Sequence, residues 1–217
     1  MIEQTIVTRT HGRYLIEPPT ARGPAPILVG FHGYGEGAEA QLDRMRRIPG
    51  ADGWLLVSIQ ALHRFYQRRD NQVVASWMTR QDRDLAIADN LEYVASVMDA
   101  VARDYPGAPR LVLSGFSQGV AMTFRALAAS SRPVDGVIAV GGDVPPELDA
   151  AALARASRIL LCHGSRDEWY TKAIHERDVE RLMQASVAVR PLEFDGGHEW
   201  SDAVVAAASD FLRERLR

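Results

Sequence analysis

Residues 111–124 read LVLSGFSQGVAMTF, and their reading decides the fold. Leu111 to Leu113 form a short apolar run of strand character. Gly115-Phe116-Ser117-Gln118-Gly119 follows, and the pattern then turns helical. A serine between two glycines at such a junction has two readings. It is a small polar N-cap, or it is a nucleophile held out on a tight bend. Bulky side chains two positions to either side would collide with that bend, so glycine is wanted there. The serine would also stand at a helix N-terminus, whose dipole and free N–H groups favour a developing oxyanion.

Outward from this junction the chain alternates. PILVGFH (26–32) and WLLVSIQ (54–60) are continuous apolar runs of the kind expected for strands buried on both faces. RLVLSG (110–115), VDGVIAVGG (134–142), SRILLCHG (157–164) and VAVRPLEF (187–194) continue the series. Helical patterns lie between them. Over 82–104, Leu85, Ala88, Leu91, Ala95, Met98 and Ala102 recur three or four apart until Pro106-Gly107 ends the stripe. Residues 118–129, 168–184 and 202–216 supply three more helices. Strand and helix in alternation predict an α/β protein with a mostly parallel sheet and helices on both faces. QTIVTR and RYLIEP, separated by Thr10-His11-Gly12, predict an antiparallel hairpin at the N-terminus. Absence of repeats, linkers and low-complexity tracts makes residues 1–217 one expected domain.

Two segments break the alternation. GYGEGAEAQ (33–41) reads as a glycine-rich loop, and ALHRFYQRRDNQVVASWMT (61–79) as a long polar and aromatic one. Both follow strands at their carboxyl ends, the edge where open α/β sheets hold ligands.

Composition bounds what such a site could serve. The chain has 217 residues, 47% hydrophobic and 24% charged, with net charge −3. No basic field is available for nucleic acid. Lys172 is the single lysine, so the cations are almost all arginine. The lone cysteine, Cys162, lies in an apolar run and reads as a buried strand thiol. MIEQTIVTRT has neither the cationic start nor the apolar core of a signal peptide. No stretch approaches the ~18 apolar residues of a membrane span. A cytoplasmic protein is expected. Neither metal-ligand spacing nor a G-x-x-x-x-G-K phosphate loop is present, so no metal and no cofactor are expected. Nothing in the sequence sets the oligomeric state.

A serine nucleophile needs a base to take its proton. His11 and His175 are poorly placed, one in the first turn and one inside a helix. His63, in the long loop, is a candidate for substrate contact. His32 and His163 stand at strand ends and read as hydrogen-bonded structural residues. His198, in FDGGHEW between the last strand and the last helix, is the expected base. The base in turn needs an acid to fix its tautomer. Asp167 in CHGSRDEW is expected there, with Asp143 in GGDVPP as competitor and Asp195 as a third candidate close to His198. The order Ser117, Asp167, His198 is the chain order of the α/β-hydrolase triad. For the oxyanion, the backbone N–H of Gln118 is the first donor expected. That of Tyr34, in FHGYGEG, is the second.

With these pieces assembled, the chain resembles the α/β-hydrolase fold over nearly its whole length. Within it the chain is similar to the phospholipase/carboxylesterase family, which includes bacterial carboxylesterases and acyl-protein thioesterases. The residues that carry the resemblance are FHGYG (31–35), GFSQG (115–119), HGSRDEW (163–169) and GGHEW (196–200). The resemblance implies one oxyanion donor, the nucleophile with the other donor, the acid and the base, in that order. SWM (76–78) lies where family members often carry a tryptophan near the acyl site, which adds Trp77 and Met78 to the candidate substrate residues. The family often has glycine where Val120 stands, and Leu-Gly-Asp where Tyr34-Gly35-Glu36 stand. Neither change removes a catalytic group, and both bear on the pocket's shape.

The function expected is hydrolysis of small or short-acyl esters or thioesters, with no inserted lid domain. Acyl transfer or peptide cleavage by the same triad is the enzymatic alternative. A catalytically silent fold used for binding is the other, and no triad member is missing. Trp77, Trp169 and Trp200 read first as packing at the sheet edge and second as an apolar substrate wall. Arg64, Arg68 and Arg69 read as solvated before they read as recognising an acidic substrate.

Overall fold

The computed structural model describes residues 1–214. Nine strands and six α-helices follow one another: β1 (Arg13–Glu17), β2 (Ile27–Phe31), α1 (Ala38–Arg46), β3 (Leu55–Gln60), β4 (His63–Tyr66), β5 (Val73–Ser76), α2 (Arg83–Asp104), β6 (Leu111–Phe116), α3 (Gln118–Ala129), β7 (Gly136–Val140), α4 (Ala150–Leu153), β8 (Arg158–Gly164), α5 (Lys172–Gln184), β9 (Ala188–Phe194) and α6 (Asp202–Arg213). The helix expected over 202–216 therefore ends at Arg213, and its residues 215 and 216 lie outside the described residues.

Seven strands form one sheet in the order β1-β3-β2-β6-β7-β8-β9. All neighbours are parallel except β1, which runs antiparallel to β3. Successive residues of the apolar runs point to opposite faces, and each face is covered. Val29, Phe31, Val57 and Leu113 pack with Val97 of α2, Phe124 of α3 and Leu182 of α5. Leu28, Leu56, Val112 and Leu160 pack on the other face with Met45 of α1 and Val204 and Phe211 of α6. Burial on both sides is why these strands read as continuous rather than alternating hydrophobic runs.

The antiparallel pair at the N-terminal side of the sheet has β3, not residues 4–9, as its second member. Arg13 to Glu17 pair with Gln60 to Leu56. Residues 1–12 take no strand conformation, and Ile2, Ile6 and Val7 stay exposed. A run of β-branched residues such as Thr5 to Thr8 marks a segment able to be a strand without saying what it pairs with. Pairing with β3 brings Leu15 and Ile16 against the core. Tyr93 of α2 fixes the chain at that point: its hydroxyl donates to the Arg13 carbonyl at 2.6 Å, and a Cβ on Gly12 would overlap its ring.

Both irregular segments hold regular structure. The glycine-rich stretch yields to α1 at Ala38, which buries Ala38, Gln41, Leu42 and Met45 at helical spacing. The 61–79 loop folds as the β4–β5 hairpin, with His63 opposite Ser76 and Tyr66 opposite Val73. Among the described residues no lid domain is inserted, and no helix is long and apolar enough to cross a membrane.

Strand order reverses beside β2: the next strand, β3, lies on one side of it and β6 on the other. The crevice at the carboxyl ends of β2 and β6 is thus a topological switch point, where α/β sheets hold ligands.

Candidate active site

Ser117 sits in that crevice, between the end of β6 and the first turn of α3. Its backbone has φ 53° and ψ −124°, a region that costs a non-glycine residue of order 1–3 kcal/mol. The conformation is over-determined by its surroundings. The Ser117 N–H donates to the Val140 carbonyl at 2.9 Å, and its own carbonyl accepts from Val120 N–H at 2.9 Å. A Cβ on Gly142 would stand 2.3 Å from that same carbonyl oxygen. Flanking glycines are required, as the bend predicts, with a sharper cause at Gly119: a Cβ there would lie 2.2 Å from the Phe31 carbonyl oxygen. Helix α3 is pressed directly onto the end of β2.

His198 and Asp167 arrive from the loops after β9 and β8. His198 Nε2 is 2.8 Å from Ser117 Oγ, and His198 Nδ1 is 2.8 Å from Asp167 Oδ2. A carboxylate only accepts, so the neutral imidazole carries its proton on Nδ1 and leaves Nε2 to accept from the serine hydroxyl. The Asp167 side chain is 1% exposed. Its second oxygen accepts from the Trp169 and Tyr170 N–H groups at 2.8 and 3.0 Å. Helix α5 begins only at Lys172, with Thr171 as N-cap, so Asp167 does not cap it. Among the described residues neither competing acid hydrogen-bonds His198. Asp143 is exposed, and Asp195 is exposed and paired with Arg166.

The loop after β2 lies against the serine, since a Cβ on Gly33 would come within 3.3 Å of Ser117 Cβ. The N–H groups of Tyr34 and Gln118 have no protein acceptor among the described residues. Two sets of bonds hold the loop in place. Gly35 N–H donates to Ala75 O at 3.0 Å and Ala75 N–H to Glu36 O at 2.8 Å, so the loop forms a bridge to β5. In addition, Glu36 Oε2 accepts from Gly33 N–H at 2.8 Å, and Arg44 grips both oxygens of Glu36. Burial alone would raise the Glu36 pKa, but the hydrogen bonds and charge of Arg44 bring it below the usual carboxylate value. The Arg44 guanidinium also lies 4.1 Å from the centroid of the Phe116 ring, which packs on the His198 imidazole with centroids 5.1 Å apart.

The Gln118 side chain works outward. Its Oε1 accepts from Trp77 N–H at 2.9 Å and its Nε2 donates to Met78 O at 3.2 Å. It therefore ties segment 76–78 to the start of α3.

The candidate substrate residues separate. Trp77 is fully buried against Phe31 and His32, with its indole N–H on the His32 carbonyl at 2.8 Å. Trp200 is buried among Phe194, Val204 and their neighbours. Neither lines an open wall; both pack beneath the site, because a large apolar ring at a sheet edge gains most by filling the core. Trp169 is 81% exposed beside Asp167. Met78 lines a depression of about 450 Å³ together with Tyr34, Thr79, Arg80, Arg83 and Gln118. The Tyr34 ring, itself exposed, packs on Phe65 of the hairpin with centroids 5.6 Å apart.

The other histidines stay outside this arrangement. His32 Nδ1 lies 2.7 Å from Gly33 O and its Nε2 accepts from Ala61 N–H, and burial lowers its pKa. His163 is buried as expected, but its Nδ1 has no partner among the described residues; the ring stacks on His175 at 5.0 Å. His63 opens the hairpin beside Thr79 and Asp82. Cys162 is buried, which raises its pKa. Among the described residues no group of His, Cys, Asp and Glu is arranged to hold a metal ion.

Comparison with known proteins gives the family and the fold. Residues 15–216 match the model of the phospholipase/carboxylesterase family. Among solved structures, esterase PE8 superposes with a TM-score of 0.75 at 22% identity, covering 95% of this chain and all of that one. Acyl-protein thioesterase 2 of Zea mays gives 0.73 at 17%, covering 93% of this chain and 98% of its own. A Bacillus cereus carboxylesterase gives 0.71 at 15%, covering 92% of each. At these identities the structural likeness speaks for the fold.

Proposed function

The chain belongs to the phospholipase/carboxylesterase family, and from that premise we propose that it hydrolyses carboxylic esters or thioesters through an acyl-enzyme formed on Ser117. One observation carries the reading: two 2.8 Å hydrogen bonds run from Asp167 Oδ2 through the His198 ring to Ser117 Oγ.

Ser117 Oγ attacks the carbonyl carbon as its proton passes to His198 Nε2. Asp167, buried and held by two N–H groups, stabilises the imidazolium that forms. The carbonyl oxygen takes up negative charge and is met by the N–H groups of Tyr34 and Gln118. When the carbon–oxygen or carbon–sulfur bond breaks, the Nε2 proton goes to the leaving alkoxide or thiolate. Water then enters, gives a proton to Nε2 and attacks the acyl carbon. Collapse of that second tetrahedral species returns the proton to Ser117 Oγ and releases the acid.

Small or short-acyl substrates fit this site. The depression at Gln118, the residue after Ser117, holds only about 450 Å³ and is bordered by Tyr34, Met78 and Gln118. Trp77 and Trp200 are committed to packing and do not form an acyl tunnel.

The test is reaction with a fluorophosphonate followed by peptide mass mapping. Such a probe needs an activated nucleophile and little substrate fit. One adduct per chain on Ser117 supports the reading; folded protein that takes none across pH 6–9 sinks it. A panel of short esters and thioesters then decides between oxygen and sulfur leaving groups.

A further inference from the structure

The depression at Gln118, the residue after Ser117, is lined by six residues, Tyr34, Met78, Thr79, Arg80, Arg83 and Gln118. Two are cations and none is an anion, in a chain whose net charge is −3. Among the described residues neither guanidinium makes a side-chain hydrogen bond to the protein. Among the described residues Arg80 has no carboxylate partner. Arg83 has only Asp84 at 3.5 Å, a side chain 96% exposed and its immediate neighbour in sequence. Exposed pairs of that kind contribute little. Glu147, whose pKa the charge of Arg83 helps to lower, is hydrogen-bonded to the buried Arg125 at 2.6 and 2.8 Å, and Asp82 lines a separate depression with His63 and Thr79.

The position of this lining matters as much as its sign. Tyr34 and Gln118 belong both to the depression and to the oxyanion site. The depression therefore adjoins the two residues whose N–H groups would meet the oxyanion. Gln118 also bonds the backbone of Trp77 and Met78, which leads directly to Thr79 and Arg80. The arginine-bearing segment is thus anchored to the first residue of α3. By contrast, Arg64 donates to the His11 carbonyl, and Arg64, Arg68 and Arg69 are absent from the lining.

We propose that Arg80 and Arg83 form an anion subsite, and that the ester or thioester processed here carries a carboxylate or phosphate close to its scissile carbonyl. Guanidinium groups pair with either anion through charge-assisted, often bidentate hydrogen bonds. A cation-only lining also raises the local concentration of anionic substrate. The proposal rests on the hydrolase reading for what the anion is attached to, but not for its binding.

The experiment therefore separates binding from turnover. Calorimetry on the Ser117→Ala protein compares monoethyl succinate and 1-acetylglycerol 3-phosphate with the neutral diethyl succinate. At least one anionic ester is expected to bind roughly tenfold or more tightly than the neutral one, with the preference shrinking as salt rises. The two anionic arms tell carboxylate from phosphate. Adding Arg80→Ala and Arg83→Ala, both at exposed positions, should erase the preference while the melting temperature stays put. Equal binding of neutral and anionic esters, or a preference that survives the double substitution, overturns the proposal. Turnover provides the second arm: the anionic-to-neutral ratio of kcat/KM should fall about tenfold in the double variant that retains Ser117. If fluorophosphonate fails to label but the anion preference holds and depends on the arginines, the hydrolase reading falls and the subsite stands. If labelling succeeds and neutral esters bind and turn over as well as anionic ones, the reverse is true.

Discussion

Arg44 grips the Glu36 carboxylate with hydrogen bonds of 2.5 and 2.6 Å, and the oxygen 2.6 Å from Arg44 also accepts the Gly33 N–H at 2.8 Å. This ion pair, mostly buried, fixes the loop whose next residue presents the Tyr34 N–H. In the proposed mechanism the pair positions a donor: removing it should leave Ser117 and His198 in place but loosen the Tyr34 N–H.

Glu36→Gln is therefore expected to lower kcat by roughly 10- to 100-fold, less than the loss of an oxyanion donor outright, with KM little changed. Fluorophosphonate labelling of Ser117 should persist at a reduced rate. The pair also has an acid limit. The folded carboxylate has a lowered pKa, so its contribution to stability is complete above the unfolded value near 4.5 and disappears as pH falls through the folded one. Unchanged kcat in Glu36→Gln would remove the positioning role.

The acid of the triad can be tested by comparison. Asp167→Asn should leave the fold intact yet reduce kcat by ~10³–10⁴, since an amide in that place favours the wrong imidazole tautomer. Asp143→Asn, at an exposed position with no hydrogen bond to His198 among the described residues, should stay within about twofold of the parent. The reversed ranking in steady-state assays would move the acid to Asp143.

These side chains show why the site was more legible than the elements around it. Gly115 and Gly119 carry a steric demand that few other residues meet, and a carboxylate, imidazole and hydroxyl at three successive strand ends leave few other arrangements. The continuous apolar runs likewise announced strands buried on both faces. Partner choice was not legible. Residues 4–9 are rich in β-branched residues as a strand would be, yet β1 pairs with β3, because burying Leu15 and Ile16 against the core outweighs a local ribbon with solvent on both sides. Nor did residue type separate Trp77, sealed in the core, from Trp169, which stands in solvent. Helix α1 was hidden by the glycines ahead of it, although Gln41, Leu42 and Met45 have helical spacing. The Glu36–Arg44 pair had a signal too: an acid and a base eight residues apart across a loop-to-helix junction, meaningful only once the helix is seen.

Close approach of α3 to β2 makes a folding prediction. In Gly119→Ala the new methyl would meet the Phe31 carbonyl at 2.2 Å and the His32 carbonyl at 2.5 Å, both backbone and unable to rotate away. Destabilisation of about 3 kcal/mol or more is expected, read as a lower denaturant midpoint or loss of soluble protein. Gly53→Ala is the control. Nothing lies within 4 Å of the methyl it would add and the φ there is not positive, so that variant should match the parent or gain slightly.

The last prediction concerns acid. His175 is buried beside His163, and burial first, the neighbouring imidazole second, lower its pKa to about 4. Tyr170 and Lys172 also stand close, and Glu193 opposes the shift only weakly. The unfolded chain takes up this proton near 6.5 and the folded one only near 4, so between those values unfolding binds protons and is favoured as pH falls. Stability is thus complete above about pH 6.5 and should drop by on the order of 2 kcal/mol by pH 4 from this group alone. His175→Gln removes the titration. Its absolute stability is expected to be lower, since a stacked ring is lost, but the fall between pH 6.5 and 4.5 should be shallower than in the parent. Urea melts at half-unit pH steps measure both slopes; parallel slopes would show that His175 is protonated in the folded protein as readily as in the unfolded one.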